Sequence, residues 1–178
     1  MKVNFEIEKL TKEVKESVLK AGADLVGVVS AADIDAYPRH LIGWEIQKYT
    51  KKTTETMSNS KSVIVIGFHV WDDILEAVIR KEDKWVYPGY LPLSTQTSET
   101  ISFLKAKGYD ATYPRLVSLK RLAQLAGFGA YGKNALIINP RFGPWIRLSA
   151  IVTNAELLSD KPFEQDLCGD CNNCVKAC

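Results

Sequence analysis

The sequence predicts an α/β fold of the α+β kind, a mixed sheet with flanking helices, and three observations lead there. Two short β-branched runs, residues 24–29 (DLVGVV) and 62–70 (SVIVIGFHV), have the unbroken apolar character of strands buried on both faces. Segments with helical spacing lie before, between and after them. The later strand-like runs, residues 134–139 (NALIIN) and 145–153 (WIRLSAIVT), are joined by PRFG, which is turn chemistry and suggests a hairpin. Strands and helices alternate without a strict strand–helix–strand rhythm, so a purely parallel doubly wound sheet is disfavoured.

The first helix is expected over residues 5–21, where Leu10, Val14 and Val18 recur every fourth position and Gly22 stands where a C-terminal cap belongs. The run at 24–29 is the first strand, and the run at 62–70 is the second and stronger one. Residues 41–52 are expected to be helical between them. Residues 72–81 (DDILEAVIRK) also carry helical spacing, at Ile74, Leu75, Val78 and Ile79. Residues 87–94 (YPGYLPLS) read as a loop broken by Pro88, Gly89 and Pro92. SETISFLKAKG reads as a helix capped by Ser98 and ended by Gly108. YDATYP is a short strand, and residues 118–127 (SLKRLAQLAG) form a helix that stops at glycine. From residue 154 to 167 the chain is polar and linking. It contains no internal repeat and no low-complexity segment.

A chain of 178 residues with 46% hydrophobic and 25% charged residues suits one globular domain with a small appendage. A net charge of +2 does not indicate nucleic acid or an anionic membrane as a partner. No apolar run reaches the roughly 18–20 residues that span a bilayer. The N-terminal segment MKVNFEIEKLTKEVKESV is charged throughout and has no signal-peptide core. A cytoplasmic, reducing location is therefore the expectation. In that setting clustered cysteines read as metal ligands before they read as disulfides.

All four cysteines, Cys168, Cys171, Cys174 and Cys178, lie in the segment CGDCNNCVKAC. The spacing is C-x2-C-x2-C-x3-C. Thiolates are soft ligands, and three of them at intervals of three wrap a compact loop around one four-iron four-sulfur cluster. Zinc sites more often use separated pairs, and zinc stays open as an alternative. Two disulfides, or four unreacted thiols, are the structural alternatives. In the bacterial ferredoxin arrangement the first three cysteines hold one cluster and the fourth serves another. Cys178 then has no partner run in this chain, and the ligand set for the first cluster is incomplete.

The segment GFGAYGKN holds Gly127, Gly129 and Gly132 in a literal G-x-G-x-x-G pattern. A dinucleotide fingerprint follows a strand and opens a helix. Here the pattern follows a helical run and precedes a strand-like one, so a helix cap and tight loop is the favoured reading. Lys133, Asn134 and free backbone N–H groups in such a loop are still suited to a phosphate or an amide-bearing cofactor.

The last third of the chain resembles the epoxyqueuosine reductase and reductive dehalogenase superfamily, cobalamin-dependent iron–sulfur reductases. The resemblance lies in the order of parts: AG-x-G-x-x-GKN, an apolar strand, FG-x-W, T-N-x-E-L, DKP, then C-G-x-C-x2-C-x3-C. AGADLVGV and SVIVIGF match more loosely. The resemblance implies a nitroreductase-like cofactor and substrate domain over residues 1–158. Residues 159–178 would be a linker and the first half of a ferredoxin-type 4Fe-4S module, truncated where a proline normally follows the fourth cysteine. It implies cobalamin beside Gly129, Tyr131, Gly132, Lys133 and Asn134, and beside the turn Arg141, Phe142 and Gly143. Electrons would pass from the cluster to the corrinoid and then to a small or nucleoside substrate, with a ferredoxin or flavodoxin as donor. The G-R-D-Y-H segment of epoxyqueuosine reductases, whose aspartate supplies the proton, has no counterpart here; YPGYLPLS stands in its place. Reductive dehalogenases use a tyrosine, which makes Tyr87 and Tyr90 the catalytic candidates, with Lys133 or Arg115 as the cation beside the phenolate. Both can equally be half-buried packing residues. His40 and His69 are read as structural. Two other classes remain: an electron-transfer or assembly module with a cluster and no corrinoid, and a zinc-stabilised binding domain.

Overall fold

A computed structural model describes residues 2–42 and 48–178 of the chain. In chain order it has α1 (Lys2–Lys20), β1 (Leu25–Ser30), α2 (Ala31–Asp35), β2 (Leu41–Ile42) and β3 (Lys48–Tyr49). A 3₁₀ turn at Thr53–Glu55 precedes β4 (Ser62–His69), and another at Asp73–Glu76 precedes β5 (Ile79–Lys81) and β6 (Lys84–Val86). A third, Pro88–Tyr90, runs into α3 (Leu91–Ala106), followed by β7 (Ala111–Thr112) and α4 (Leu119–Leu125). The chain ends with β8 (Ala130–Tyr131), β9 (Ile137–Ile138), β10 (Ile146–Thr153) and α5 (Asn173–Ala177).

The sheet has the order β1-β4-β10-β7, and every pairing in it is antiparallel. Helices cover both of its faces. Val28, Ile64, Ile66, Phe68 and Ile151 pack on one side with Val14 and Val18 of α1 and with Leu93 and Leu104 of α3. Val29, Val63, Val65, Ala150 and Val152 pack on the other with Leu122, Ala123 and Leu125 of α4 and with Phe128. This double cover explains why SVIVIGF shows no alternation: both faces of β4 meet apolar partners. Each Val, Leu, Ile or Phe side chain among them contributes about 1.5–3 kcal/mol by leaving water.

The segment after β10 packs as a strap before it becomes a tail. Ala155 and Leu157 are buried. Leu157 N donates to Ser62 Oγ, and Leu158 N donates to Thr11 Oγ1. Asp160 then lies along the outer edge of β1, and Phe163 N donates to Gln124 O. The residues expected to be merely linking thus close the uncovered edge of the sheet.

Four expectations need correction. Residues 72–81 are not a helix. Asp72 caps a 3₁₀ turn, and Ile79 pairs with Val86 in a hairpin whose turn places Glu82 at φ 55. Ile74, Val78 and Ile79 are exposed, so the apolar spacing there has no partner surface to drive a helix. The helix expected over 41–52 is contradicted at its ends, where Leu41 pairs with Tyr49 and Ile42 with Lys48; its middle lies outside the described residues. α3 starts at Leu91 rather than at a Ser98 cap, because Pro92 falls in the first turn, where its missing N–H costs nothing. The run NALIIN does not form a hairpin with the strand after it. Ile137 and Ile138 turn back on Ala130 and Tyr131, while β10 joins the main sheet.

Candidate functional site

The glycine segment resolves into a helix cap and a hairpin. Gly127 takes φ 78, and α4 ends with Gly127 N on Gln124 O and Phe128 N on Ala123 O, a Schellman closure. β8 and β9 follow. Their turn is closed by Gly132 N on Leu136 O at 2.8 Å and Ala135 N on Gly132 O at 2.9 Å. Asn134 Oδ1 accepts from Leu136 N inside this turn. A Cβ on Gly132 would stand 2.7 Å from Asn134 Oδ1 and 3.0 Å from Ile138 Cγ1, so the turn leaves no room for a side chain there. Gly129 backs onto the Ile138 carbonyl.

Lys133 projects from this turn into the cysteine segment. Its ammonium donates to Gly169 O at 2.9 Å, Cys171 O at 3.0 Å and Asn172 Oδ1 at 2.9 Å. These three acceptors saturate the three N–H donors of a lysine. Within the cysteine loop, Cys171 N donates to Cys168 O, and Cys168 N donates to Asp166 Oδ1. Cys168 is half-buried; Cys171, Cys174 and Cys178 are exposed. The donor set, four thiols on a loop whose carbonyls are already held, fits a soft metal or an iron–sulfur cluster. Among the described residues, however, no three Cys, His, Asp or Glu side chains converge on a single metal position.

The turn after β9 is held from inside. Asn139 and Gly143 exchange backbone hydrogen bonds, and the buried Asn139 Oδ1 accepts from Arg141 N at 2.9 Å and Phe142 N at 3.0 Å. Phe142 is thereby stacked on His69 at the end of β4, 4.4 Å between ring centroids and 22° between planes. Arg141 lies over the Phe142 ring at 4.9 Å. The Asp24 carboxylate accepts from His69 N. Two open cavities adjoin this stack. One, of about 380 Å³, is walled by Arg141, Phe142 and Asp160; the other, of about 440 Å³, by His69, Trp71 and Trp145. Trp71 and Trp145 are exposed, so the end of the sheet presents flat aromatic surface.

Tyr87 precedes and Tyr90 ends the 3₁₀ turn before α3; their rings meet edge to face at 6.2 Å, and both are exposed. The cation beside Tyr90 is neither Lys133, whose ammonium is spent on the cysteine loop, nor Arg115. It is Arg147, whose guanidinium carbon lies 4.3 Å from the Tyr90 ring centroid and whose Nη2 pairs with Glu76 at 2.7 Å. Arg147 sits opposite Phe68 in the sheet, one residue from His69. Sequence reasoning missed Arg147 because a charged residue inside an apolar strand run reads as the solvent-facing position. It also missed the place of His69 in the cavity wall, where a strand-end histidine gives no spacing signal.

Tyr131 faces a different cavity. Burial raises its pKa, opposed by the charge of Arg121 and by a hydrogen bond with Ser118. The structure therefore divides the expected cofactor residues among three places: Tyr131 on one side of the hairpin, Lys133 under the cysteine loop, and Arg141 and Phe142 at the end of the sheet.

No protein-family model matches the chain. It is similar along nearly its whole length to curated epoxyqueuosine reductases. The Bacillus anthracis protein is 26% identical over 199 residues, covering 98% of this chain and 52% of that protein. The Cyclobacterium marinum protein is 26% identical over 197 residues, covering 97% and 63%. The chain spans about half the length of the first of these relatives. Among solved structures, an epoxyqueuosine reductase with an epoxyqueuosine-modified tRNA-Tyr stem loop superposes with a TM-score of 0.74 at 22% identity, covering 94% of this chain and 51% of that one. A catabolic reductive dehalogenase in complex with 3-bromo-4-hydroxybenzoic acid superposes with a TM-score of 0.67 at 19% identity, covering 97% and 25%. The resemblance read from the C-terminal motifs thus extends through the whole chain, and the sheet with flanking helices is the fold these reductases share.

Proposed function

From this similarity to epoxyqueuosine reductases and reductive dehalogenases, we propose that the chain is the cofactor-facing part of an iron–sulfur oxidoreductase that works with a corrinoid. One observation carries the reading. Lys133 ties the hairpin turn to the cysteine loop through Gly169, Cys171 and Asn172, so a loop suited to a cluster is held against one of the expected cofactor-binding turns.

Cys168, Cys171 and Cys174 would hold the cluster, with Cys178 free for a second one. Arg141, Phe142, His69 and the two exposed tryptophans offer a cationic edge and flat aromatic surface for a corrinoid. When bound, these groups supply one-electron transfer and a low-potential, nucleophilic metal centre. The chain's own residues orient the partners, exclude water and supply a proton. Tyr90 is the proton source in this reading. Arg147 lies over its ring and holds it in place, and Glu76 holds Arg147. A ferredoxin or flavodoxin would be the electron donor, and the substrate would be a small molecule or a nucleoside. The tRNA stem loop on one structural neighbour makes an RNA-borne nucleoside the first substrate to try.

The test is binding of hydroxocobalamin to the anaerobically reconstituted protein, read by its visible spectrum together with iron and sulfide analysis. Stoichiometric corrinoid uptake supports the proposal. Iron and sulfide without corrinoid affinity would replace it with an electron-transfer or assembly role. A colourless protein carrying zinc would replace it with a zinc-stabilised binding domain.

A further inference from the structure

The backbone of the cysteine loop is organised from outside the loop. Every carbonyl from Cys168 to Cys171 has a donor. Cys168 O accepts from Cys171 N at 2.9 Å. Gly169 O and Cys171 O accept from the Lys133 ammonium at 2.9 and 3.0 Å. Asp170 O accepts from Asn172 Nδ2 at 3.1 Å, and the same side-chain amide presents its Oδ1 to Lys133 at 2.9 Å. One ammonium thus fixes three points of the loop directly, and a fourth through Asn172. On the iron–sulfur reading of this loop, from which the role follows, we infer that Lys133 is a positioning residue that sets the reduction potential of the cluster by turning the loop's peptides so that their N–H groups are left for sulfur.

The N–H sides of the same peptides are in the opposite state. In a trans peptide the N–H points away from the carbonyl. The peptide whose oxygen Lys133 takes at Gly169 therefore presents the Asp170 N–H on its far side, and the peptide taken at Cys171 presents that of Asn172. Among the described residues neither N–H has an acceptor, whereas Cys168 N and Cys171 N are both spent within the loop. These two donors flank Cys171 in sequence. A hydrogen bond from an N–H to a cluster sulfur stabilises the more negative, reduced state, and such bonds are among the features that set cluster potentials. A lysine that fixes the carbonyl side of the two peptides fixes the N–H side with it. Lys133 is itself exposed, so solvent and salt screen its own charge, and its contribution is orientation.

The experiment is a potentiometric titration, read by electron paramagnetic resonance, of the full chain reconstituted anaerobically with iron, sulfide and 2-mercaptoethanol. Wild type is compared with Lys133→Met, Lys133→Gln and Lys133→Arg at matched iron and sulfide content. Lys133→Met should lower the equilibrium constant for one-electron reduction about tenfold, equivalent to about 59 mV. Lys133→Arg, which keeps a cationic head with several donors, should lie between the two. The shift should persist in roughly 0.5 M salt. Lys133→Gln gives the reading if Lys133→Met holds no cluster, and its potential should also fall. A potential unchanged in Lys133→Met and Lys133→Gln overturns the role while leaving the iron–sulfur reading intact. So does a shift that vanishes at high salt, which leaves only the field of an exposed charge. Loss of the cluster from all three variants overturns it too, since the lysine would then serve assembly. Failure of the wild type itself to take up iron and sulfide overturns the iron–sulfur reading and this role together.

Discussion

Asp160 and Val28 grip each other twice: the Asp160 carboxylate accepts from Val28 N at 2.8 Å, and Asp160 N donates to Val28 O at 2.8 Å. The same carboxylate holds the Lys15 ammonium at 2.6 Å. One residue of the strap thus stands in for a missing strand at the edge of β1 and ties that edge to α1.

Replacing Asp160 by alanine should therefore cost about 1–3 kcal/mol in urea unfolding, since Val28 N loses its acceptor and Lys15 its counter-charge. A chain cut after residue 163 should melt cooperatively. One cut after residue 153, which also loses the buried Ala155 and Leu157, should not. Equal stability of the two truncations would refute the structural role given to the strap.

Lys133→Met should loosen the cysteine loop without altering the sheet. Three hydrogen bonds from one ammonium would go, and the loop would open more often. Alkylation of the half-buried Cys168 in the metal-free protein should quicken roughly fivefold, equivalent to about 1 kcal/mol of local stability. An unchanged labelling rate means that the lysine does not restrain the loop.

A valine at Gly132 should spare the helices and spoil the hairpin. Its side chain would meet Asn134 Oδ1 and Ile138 and open the 132–136 turn, at a cost of about 1–3 kcal/mol. Circular dichroism should keep its helical signal while the amides of Gly132 and Leu136 exchange faster with solvent. Under the corrinoid proposal the same variant should also lose corrinoid uptake. Retained uptake with an opened hairpin would remove this turn from the cofactor site.

Glu13 and Lys107 join α1 to the end of α3 at 2.7 Å, and that hydrogen bond holds the Glu13 pKa below its ordinary value. A carboxylate with a lowered folded pKa stabilises the fold above its unfolded pKa. That contribution disappears as pH falls through the folded value. Thermal stability of the wild type should thus fall more between neutral pH and strongly acidic pH than that of Glu13→Gln. Parallel acid profiles for the two proteins would count against the pair.

How much of this was legible in the sequence depended on whether a pattern carried its own partner. The run at 62–70 did, because a strand covered on both faces must be continuously apolar. Gly127 did as well, since a helix that ends on glycine needs no distant contact to explain it. Residues 72–81 did not. Ile74, Val78 and Ile79 have helical spacing but stay exposed, and only their lack of a facing surface, invisible in one dimension, makes them a turn and a hairpin. The partners of Lys133 lie 36–39 positions away, and Arg147 meets Glu76 across 71 positions. Contacts of that kind leave no spacing to read, so the cation beside Tyr90 was sought in the wrong residues.

The strap also sets an order of events in chain synthesis. Asp160 and Val28 are 132 positions apart. During vectorial synthesis at about 5–20 residues per second, β1 is made many seconds before the residue that covers its edge. For that interval a β-branched strand has an open hydrogen-bonding side, the kind of surface that recruits other chains. Closing so long a loop is also slow compared with forming α1. The nascent protein is thus most exposed to misassociation just before Asp160 is made, and the cysteine segment that follows docks onto a sheet already built.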